Sequence, residues 1–206
     1  MKPYLINVYT KTEHLDRFFE SVKKINIEEI NIQPPQYPGN LNRFKLIPEF
    51  TDKKRWIIFT DTEDVIFQSD FPDFDNIGFD IVVAPENEIH KNSYWKSFCE
   101  KYPIFEDLKE RQIYNAGCFA MRVNKFFKFI KFLNTFNKVE LPQNMDQLLF
   151  NKWLSTQDFI ADLTIFAPLY KNYELGLIKK EEGIWKTKNG KIINCVHANG
   201  NLKDLL

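Results

Sequence analysis

The sequence predicts an α/β fold in which helices flank a mostly parallel central sheet. A short run of bulky apolar residues, 56–59, ends at an acidic turn, as buried strands of parallel sheets do. Strand-like and helix-like segments alternate before this run, and such alternation implies parallel strands joined by right-handed crossovers. The 206 residues are 44% hydrophobic and include 20 Phe, which suffices for one core. A single domain over residues 1–206 therefore fits best.

The first half of the chain supplies this alternation. Its predicted order is strand, helix, strand, loop, short helix and central strand, over residues 5–9, 13–24, 29–32, 33–39, 41–50 and 56–59. The first helix follows from apolar side chains at helical spacing, Leu15, Phe18, Phe19 and Val22. The loop follows from its Pro-Pro and Pro-Gly pairs, which interrupt regular structure.

The second half continues with a loop or single helical turn, further strands and three helices. The strands are predicted at 79–84 and 117–123 and the helices at 93–102, 124–133 and 144–154, while 105–114 fits no single pattern. Asn124 is the predicted N-cap of a Phe-rich helix, and Asn144 with Gln147 forms a capping-box pattern. Residues 160–166 alternate weakly, and 176–196 predict short strands with turns at Gly183 and Asn189-Gly190.

The composition excludes several classes of protein. With 28 basic and 28 acidic residues the net charge is zero, which argues against a nucleic-acid or anionic-membrane surface. Cys99, Cys118 and Cys195 are far apart in the sequence, so we expect reduced core residues of a cytosolic protein. No run approaches ~20 apolar residues, so no membrane-spanning helix is expected. The N-terminal segment lacks signal-peptide features, which favours a cytoplasmic location.

The acidic turn after the central strand is the strongest local signal for a site. Asp61, Glu63 and Asp64 follow the apolar run directly, at the sheet edge where α/β proteins bind ligands. Clustered carboxylates raise one another's pKa unless a cation compensates them, and Mg²⁺-type sites use carboxylates together with substrate phosphates. A solvated turn is the alternative. The apolar segments on both sides favour a metal–diphosphate site.

Two further motifs carry polar groups beside predicted regular structure. The Asn115 amide can both donate to and accept from sugar hydroxyls, while Ala116 and Gly117 let a ligand approach closely. An ordinary turn explains these residues equally well. Asp146 lies in the first turn of a predicted helix, where the macrodipole alone stabilises an acid. A carboxylate at that position is also suited to act as a base or charge stabiliser.

His197 follows the apolar run 192–196 near the end of the sequence. A lone histidine is more often a core or surface residue, but neutral imidazole at a strand end is also a common ligand of transition metals. Lys203 would then donate to phosphate oxygens. The other histidines, His14 and His90, lie in polar settings and are predicted to be surface residues.

Taken in order, these motifs resemble those of GT-A glycosyltransferases. They are Thr-Asp-Thr-Glu-Asp-Val-Ile-Phe at 60–67, Asn-Ala-Gly at 115–117, Met-Asp-Gln at 145–147 and His-Ala-Asn-Gly at 197–200. The sequence is similar in particular to the glycosyltransferase domain of procollagen lysyl hydroxylases and related collagen-type glycosyltransferases. Residues 8–19 and 84–86 extend the similarity over nearly the whole chain.

The resemblance implies a single GT-A (Rossmann-like) domain that moves a sugar from a uridine nucleotide-sugar to an acceptor hydroxyl on a glycan, lipid-linked molecule or protein. It implies that Asp61, Asp64 and His197 hold Mn²⁺ or Mg²⁺ on the donor diphosphate. By the same matching, Thr10 lies near the nucleotide, Asn115 and Asp146 face the donor sugar, and Asn199, Gly200 and Lys203 close over the diphosphate. Asp146 is the candidate base or oxocarbenium stabiliser, and acceptor choice is expected in loops 33–40 and 87–113.

Departures from the family pattern leave alternatives open. Glu63 replaces the usual Tyr, so Asp61 and Glu63 form a second possible metal-binding pair. The family's paired acid is reduced to Asp146, which keeps open a non-catalytic module that binds nucleotide or carbohydrate, and Ala198 replaces Gly. A rival enzyme class is a Mg²⁺-dependent phosphohydrolase with an Asp-x-Asp turn. There the turn normally follows the first strand, whereas Asp61 follows the third.

Overall fold

A six-stranded sheet forms the centre of the structure. The structure is a computed structural model that describes residues 1–10, 15–36, 39–136, 141–142, 145–198 and 200–206. At residues 200, 201 and 203 it describes the backbone alone. The strands within the described ranges are β1 (Tyr4–Val8), β2 (Glu28–Ile32), β3 (Trp56–Thr60), β4 (Val65–Phe67), β5 (Ile81–Ile89), β6 (Gln112–Arg122), β7 (Ile160–Ala161), β8 (Phe166–Pro168), β9 (Ile178–Glu181), β10 (Ile184–Thr187) and β11 (Cys195–His197).

The helices are short, and most of them cover the two faces of this sheet. The α-helices are α1 (Asp16–Val22), α2 (Asn40–Arg43), α3 (Lys96–Lys101), α4 (Val123–Thr135), α5 (Asp146–Leu154) and α6 (Leu169–Glu174). Single-turn or double-turn 3-10 helices cover Phe44–Leu46, Phe74–Asn76, His90–Asn92, Pro103–Leu108 and Gly200–Leu205. Among the described residues, no helix has the length and apolar character needed to cross a membrane.

The central sheet has the strand order β2-β1-β3-β6-β5-β7. β1 pairs in parallel with β2 and β3, and β5 pairs in parallel with β7, whereas β6 runs antiparallel between β3 and β5. The predicted α/β fold with a mostly parallel sheet is therefore confirmed. Because β6 is reversed, its first residues lie at the same sheet edge as the carboxyl ends of β1, β3 and β5.

A second sheet of three strands joins the end of the chain to the acidic turn. Its order is β4-β11-β8, with β11 antiparallel to β4 and parallel to β8. In this register His197 lies opposite Val65, the first residue after the acidic turn. The predicted turn at Gly183 joins β9 to β10 with a positive φ of 81°, which glycine adopts without steric cost.

β3 is buried along its whole length and contributes to two cores. Successive side chains of a strand point to opposite faces, so Phe59 joins the cluster beneath α4 and α5 while Ile58 joins the cluster beneath α1. Phe59 stacks on Phe119 with ring centroids 5.3 Å apart, and Phe119 stacks on Phe150 at 4.8 Å. The three cysteines are buried and free, as predicted.

The predicted helix caps differ from the observed ones. α4 begins at Val123, so Asn124 lies inside the helix and the predicted N-cap is wrong. The backbone supplies the cap instead, because the N–H groups of Val123 and Asn124 donate to the carbonyl oxygens of Arg55 and Lys53 at 2.9 and 3.2 Å. Asn144, the other predicted cap, lies outside the described residues. The Gln147 side chain bonds to Glu86 and β6.

The segment 87–113, expected to be a loop, is largely regular. β5 extends to Ile89 through two register shifts, and 3-10 turns with α3 lead back into β6. His90, predicted at the surface, is fully buried in this segment, so that prediction is wrong. Its Nδ1 donates to the carbonyl oxygen of Arg111 at 2.8 Å. Burial lowers the pKa of His90, although this backbone hydrogen bond partly opposes the shift.

The lowered pKa of His90 predicts a loss of stability in mild acid. The unfolded chain binds a proton on this imidazole near pH 6.5 while the folded protein does not, so folding becomes less favourable as pH falls through that value. His90→Asn keeps a donor for Arg111 and removes the titration. We expect urea unfolding to show that the wild type loses more stability than His90→Asn between about pH 7.5 and about pH 5.5. Equal losses in the two proteins would contradict the assignment.

Candidate active site

A cleft of about 880 Å³ opens at the sheet edge where β1, β3 and β5 end and β6 begins. It brings together six of the nine site residues that the sequence predicts, namely Thr10, Asp61, Asp64, Asn115, Asp146 and His197. Asn199 lies outside the described residues. Gly200 and Lys203 belong to the 3-10 helix Gly200–Leu205, where the structure describes only their backbone.

Three of these residues form a candidate cation site. Asp61, Asp64 and His197 each offer one ligand atom, and these atoms all lie within 4.8 Å of one another. The Nε2 atom of His197 is 3.5 Å from Asp61 Oδ2 and 3.4 Å from Asp64 Oδ1. Pairing of β11 with β4 creates this contact, and the Ala198 N–H fixes it by donating to the Asp64 carbonyl at 2.7 Å. Glu63 lines the same cleft but is exposed and does not belong to this cluster.

Asn115 orients the histidine of this cluster. Its Oδ1 accepts the backbone N–H of Gly117 at 2.8 Å, so the His197 Nδ1, 3.0 Å from the same oxygen, is the protonated ring nitrogen. Nε2 then faces the carboxylates, where a neutral ring could offer it to a metal. The amide nitrogen of Asn115 donates to Glu86 at 2.7 Å. The amide group predicted to bind sugar hydroxyls is thus engaged with protein groups.

The charge of His197 depends on its carboxylate neighbours. Burial alone lowers the pKa of this imidazole, but the Asp64 carboxylate and then Cys118 outweigh burial and raise the pKa well above its usual range. This shift favours the protonated form of the ring when no other cation is present. A proton on Nε2 and a divalent cation compete for one position, because both need the same lone pair.

Gly117 is required by the close approach of two candidate metal-binding side chains, Asp61 and His197. A Cβ atom at this position would lie less than 3.0 Å from both Asp61 Oδ2 and His197 Cε1. The sequence predicted that Ala116 and Gly117 would admit a bound ligand. Ala116 is part of the apolar core, whereas Gly117 lines the cleft and is approached by the protein's own Asp61 and His197.

Arg43 is a site residue that sequence reasoning missed. Its guanidinium is buried beside the rings of Phe44 and Phe59, 5.1 Å from each centroid. It contacts Asp61 through Nη1 and Asp146 through Nη2, the latter at 3.0 Å. It therefore links the candidate cation site to the predicted catalytic carboxylate. The only sequence signal was an arginine inside the predicted short helix 41–50.

Asp146 lies at the start of α5 and is buried against the cleft. Burial raises the pKa of its carboxyl group, whereas the Arg43 guanidinium favours the ionised form and offsets part of that shift. Glu86 belongs to the segment 84–86 that resembles the family but was not predicted as a site residue. Its carboxylate accepts hydrogen bonds from the side chains of Asn115 at 2.7 Å and Gln147 at 3.2 Å. Burial also raises the pKa of Glu86. These carboxylates give the cleft a strongly acidic wall.

Comparison with solved structures identifies the fold. One similar structure is the galactosyltransferase LgtC in complex with donor and acceptor sugar analogues, with a TM-score of 0.56, 11% identity, and coverage of 96% of this chain and 87% of LgtC. Another is a glycosyltransferase involved in glycosylation of the major capsid of PBCV-1, with a TM-score of 0.63 and 12% identity. The match covers 100% of this chain and 96% of that protein's chain. No protein-family model and no curated protein sequence matches the chain. The chain has the GT-A fold, as predicted.

Gly117→Ala should weaken divalent-cation binding without unfolding the protein. The added methyl group displaces Asp61 and His197, and we expect affinity for Mn²⁺ to fall about tenfold or more, with a stability loss of about 1–3 kcal/mol. Titration of Mn²⁺, with the free ion followed by electron paramagnetic resonance, measures the affinity. Circular dichroism verifies the fold. Wild-type affinity in a folded variant would contradict the proposed ligand set.

Arg43→Gln should make the thermal stability of the protein depend more strongly on a bound cation. Removing the guanidinium leaves Asp61 and Asp146 without their buried partner, at a cost on the order of 3 kcal/mol. We expect a lower melting temperature without metal and a larger rise on adding Mn²⁺ than in the wild type. Lys152→Gln, which breaks a more exposed ion pair with Asp107, is the control and should cost about 1 kcal/mol or less. An equal Mn²⁺ response in Arg43→Gln and wild type would argue against a shared site.

Proposed function

We propose that this protein is a metal-dependent glycosyltransferase that moves a sugar from a uridine nucleotide-sugar to an acceptor hydroxyl. The observation that carries the proposal is the cluster of Asp61, Asp64 and His197 in the large cleft of a GT-A fold. The fold it shares with two solved glycosyltransferases, one of them bound to donor and acceptor sugar analogues, supports the same reading. The finer resemblance to collagen-type glycosyltransferases and the cytoplasmic location remain predictions.

The residues of the cluster fit a divalent cation. Two carboxylate oxygens and one imidazole nitrogen form a mixed oxygen and nitrogen donor set of the kind that Mn²⁺ accepts, and Mg²⁺ is the alternative. The Asn115 hydrogen bond that fixes the ring orientation is the usual supporting contact of a metal-binding histidine. Such a cation would supply positive charge beside the donor diphosphate as a Lewis acid.

The remaining residues divide the work of transfer. In the reaction the bond from the anomeric carbon to the diphosphate oxygen breaks, its electron pair leaves with the nucleoside diphosphate, and the acceptor oxygen forms the new bond. Asp146 either takes the acceptor proton or stabilises positive charge on the sugar, in which case the diphosphate takes the proton. Arg43 holds Asp146 in place through the 3.0 Å ion pair.

The nucleotide side of the cleft follows from the strand order. Thr10 lines the cleft beyond β1, on the other side of Asp61 from β5 and β6, which suits contact with the nucleotide. Asn199, Gly200 and Lys203 are proposed to close over the diphosphate. Glu63 is exposed outside the ligand cluster, so Asp61 with Asp64 is the metal pair we propose.

A non-catalytic binding module of the same fold is the second candidate, since a single acid, Asp146, stands where the resembled family has two. The two candidates differ in one measurable property. A transferase releases uridine diphosphate from its donor in the presence of an acceptor, whereas a binding module retains the nucleotide-sugar unchanged. Simple phosphate release from phosphomonoesters would instead favour the phosphohydrolase alternative.

Asp64→Ala should abolish metal-dependent donor binding while the fold remains. We expect uridine diphosphate or a uridine nucleotide-sugar with Mn²⁺ to raise the melting temperature of the wild type, since a ligand at ~100 times its dissociation constant adds about 2.7 kcal/mol. Asp64→Ala should lose that rise. Glu63→Ala is the matched control, because it removes a neighbouring carboxylate outside the cluster. Unchanged donor binding in Asp64→Ala would overturn the metal assignment, and loss in Glu63→Ala would favour the Asp61 and Glu63 pair.

A further inference from the structure

The far side of the cleft is built from elements that carry none of the candidate metal ligands. Along the sheet edge the order is β1, β3, β6 and β5, so the cation cluster after β3 lies between Thr10 on one side and the end of β5 on the other. With strands about 4.8 Å apart, β5 is roughly 14 Å from β1. That distance leaves room for a second substrate beside the nucleotide.

We define the acceptor wall as Glu88, Asn92, Tyr94, Tyr170 and Lys171, all of which line the cleft on this side. Tyr94 is 68% exposed although its ring packs on Trp95 and Phe98, with centroids 5.2 and 5.4 Å away. An aromatic face that is fixed in position and open to solvent is suited to the C–H face of a pyranose ring. The tyrosine hydroxyl and the neighbouring polar groups suit its hydroxyls.

A side pocket of about 410 Å³ continues this wall. Glu88, Asn92 and Lys171 line both the side pocket and the main cleft, so the two spaces are neighbours. Lys171 Nζ donates to Glu174 at 2.7 Å and lies 3.8 Å from Glu88 Oε1, longer than a hydrogen bond. A hydroxyl at the side of the Glu88 and Lys171 pair can therefore contact both groups. The combined space exceeds what one sugar unit needs.

The wall is held in place by a buried asparagine. Asn172, fully buried on α6, donates to the carbonyl oxygens of Pro85 and Pro168 at 2.8 Å and accepts from Asn87. Asn87 itself adopts a left-handed conformation, with φ 53°, in the irregular stretch of β5 between Pro85 and Ile89. Strained backbone fixed by buried contacts is typical of preorganised binding sites. α6 is thereby locked against the end of β5.

We infer that the acceptor is a neutral oligosaccharide of at least two sugar units. The reacting unit packs against Tyr94 in the main cleft, and the next unit lies in the side pocket across Glu88 and Lys171. The acceptor wall sets its one carboxylate, Glu88, beside its one lysine, Lys171, so it offers no excess of positive charge that would favour an anionic acceptor. This inference rests on the proposed glycosyl transfer.

Saturation-transfer NMR titrations test the inference. The probes are methyl glycosides of glucose, galactose and N-acetylglucosamine, the disaccharides maltose, lactose and diacetylchitobiose, and an anionic uronic-acid disaccharide, each with and without uridine diphosphate and Mg²⁺. We expect at least one neutral disaccharide to bind about tenfold more tightly than its methyl glycoside, and the anionic one not to bind. Tyr94→Ala should weaken both, and Lys171→Met should remove the preference for the disaccharide.

Matched controls separate these effects from general destabilisation. Tyr173→Ala removes an exposed tyrosine that packs on Trp185 outside both cavities, and Lys179→Met removes a half-exposed lysine on β9, so neither should change binding. Disaccharides that bind no better than methyl glycosides, or binding unaffected by Tyr94→Ala, would overturn the inference. If the protein binds the nucleotide but no saccharide, the acceptor inference is overturned and the proposed function stands. If the protein does not bind the nucleotide, the proposed function itself is contradicted.

Discussion

The rest of the site depends on one constraint, the stabilisation of several carboxylates that lie close together and partly away from water. Asp61, Asp64 and Asp146 converge at one sheet edge, and carboxylates this close are stable only beside positive charge. The chain meets the requirement in two ways. Arg43 bridges Asp61 and Asp146, and His197 faces Asp61 and Asp64. Gly117 leaves the space that this crowding needs.

The topology explains how residues so far apart in sequence reach one place. A parallel sheet sends the carboxyl ends of β1, β3 and β5 to the same edge, and the single reversed strand β6 adds its amino-terminal residues to that edge. Asn115 and Gly117 therefore reach the cleft because of the antiparallel placement of β6. The small sheet then contributes His197 through one strand pair, β11 with β4.

The sequence predicted the site better where short-range rules decide the outcome. A buried strand that ends in acids was readable because burial and strand ends follow local patterns, and Asp61 and Asp64 do lie together. The role of Arg43 could not be predicted, since no local pattern indicates which face of a four-residue helix turns toward two carboxylates distant in the sequence. His90 was wrongly predicted at the surface because polar neighbours in the sequence do not determine tertiary burial. Asn124 is not the N-cap because backbone carbonyl groups of another segment accept the N–H groups at the start of the helix.

The division of the ligand cluster between two sheets has a consequence for how the protein is made. Asp61 and Asp64 are synthesised early, but the site does not exist until His197 has emerged and β11 has paired with β4. Most of the central sheet forms from residues that precede this step. A cation with high affinity for the finished cluster would then bind only after the late pairing and would draw that equilibrium toward the paired state. Such a cation would thus complete folding in addition to the role in transfer proposed above.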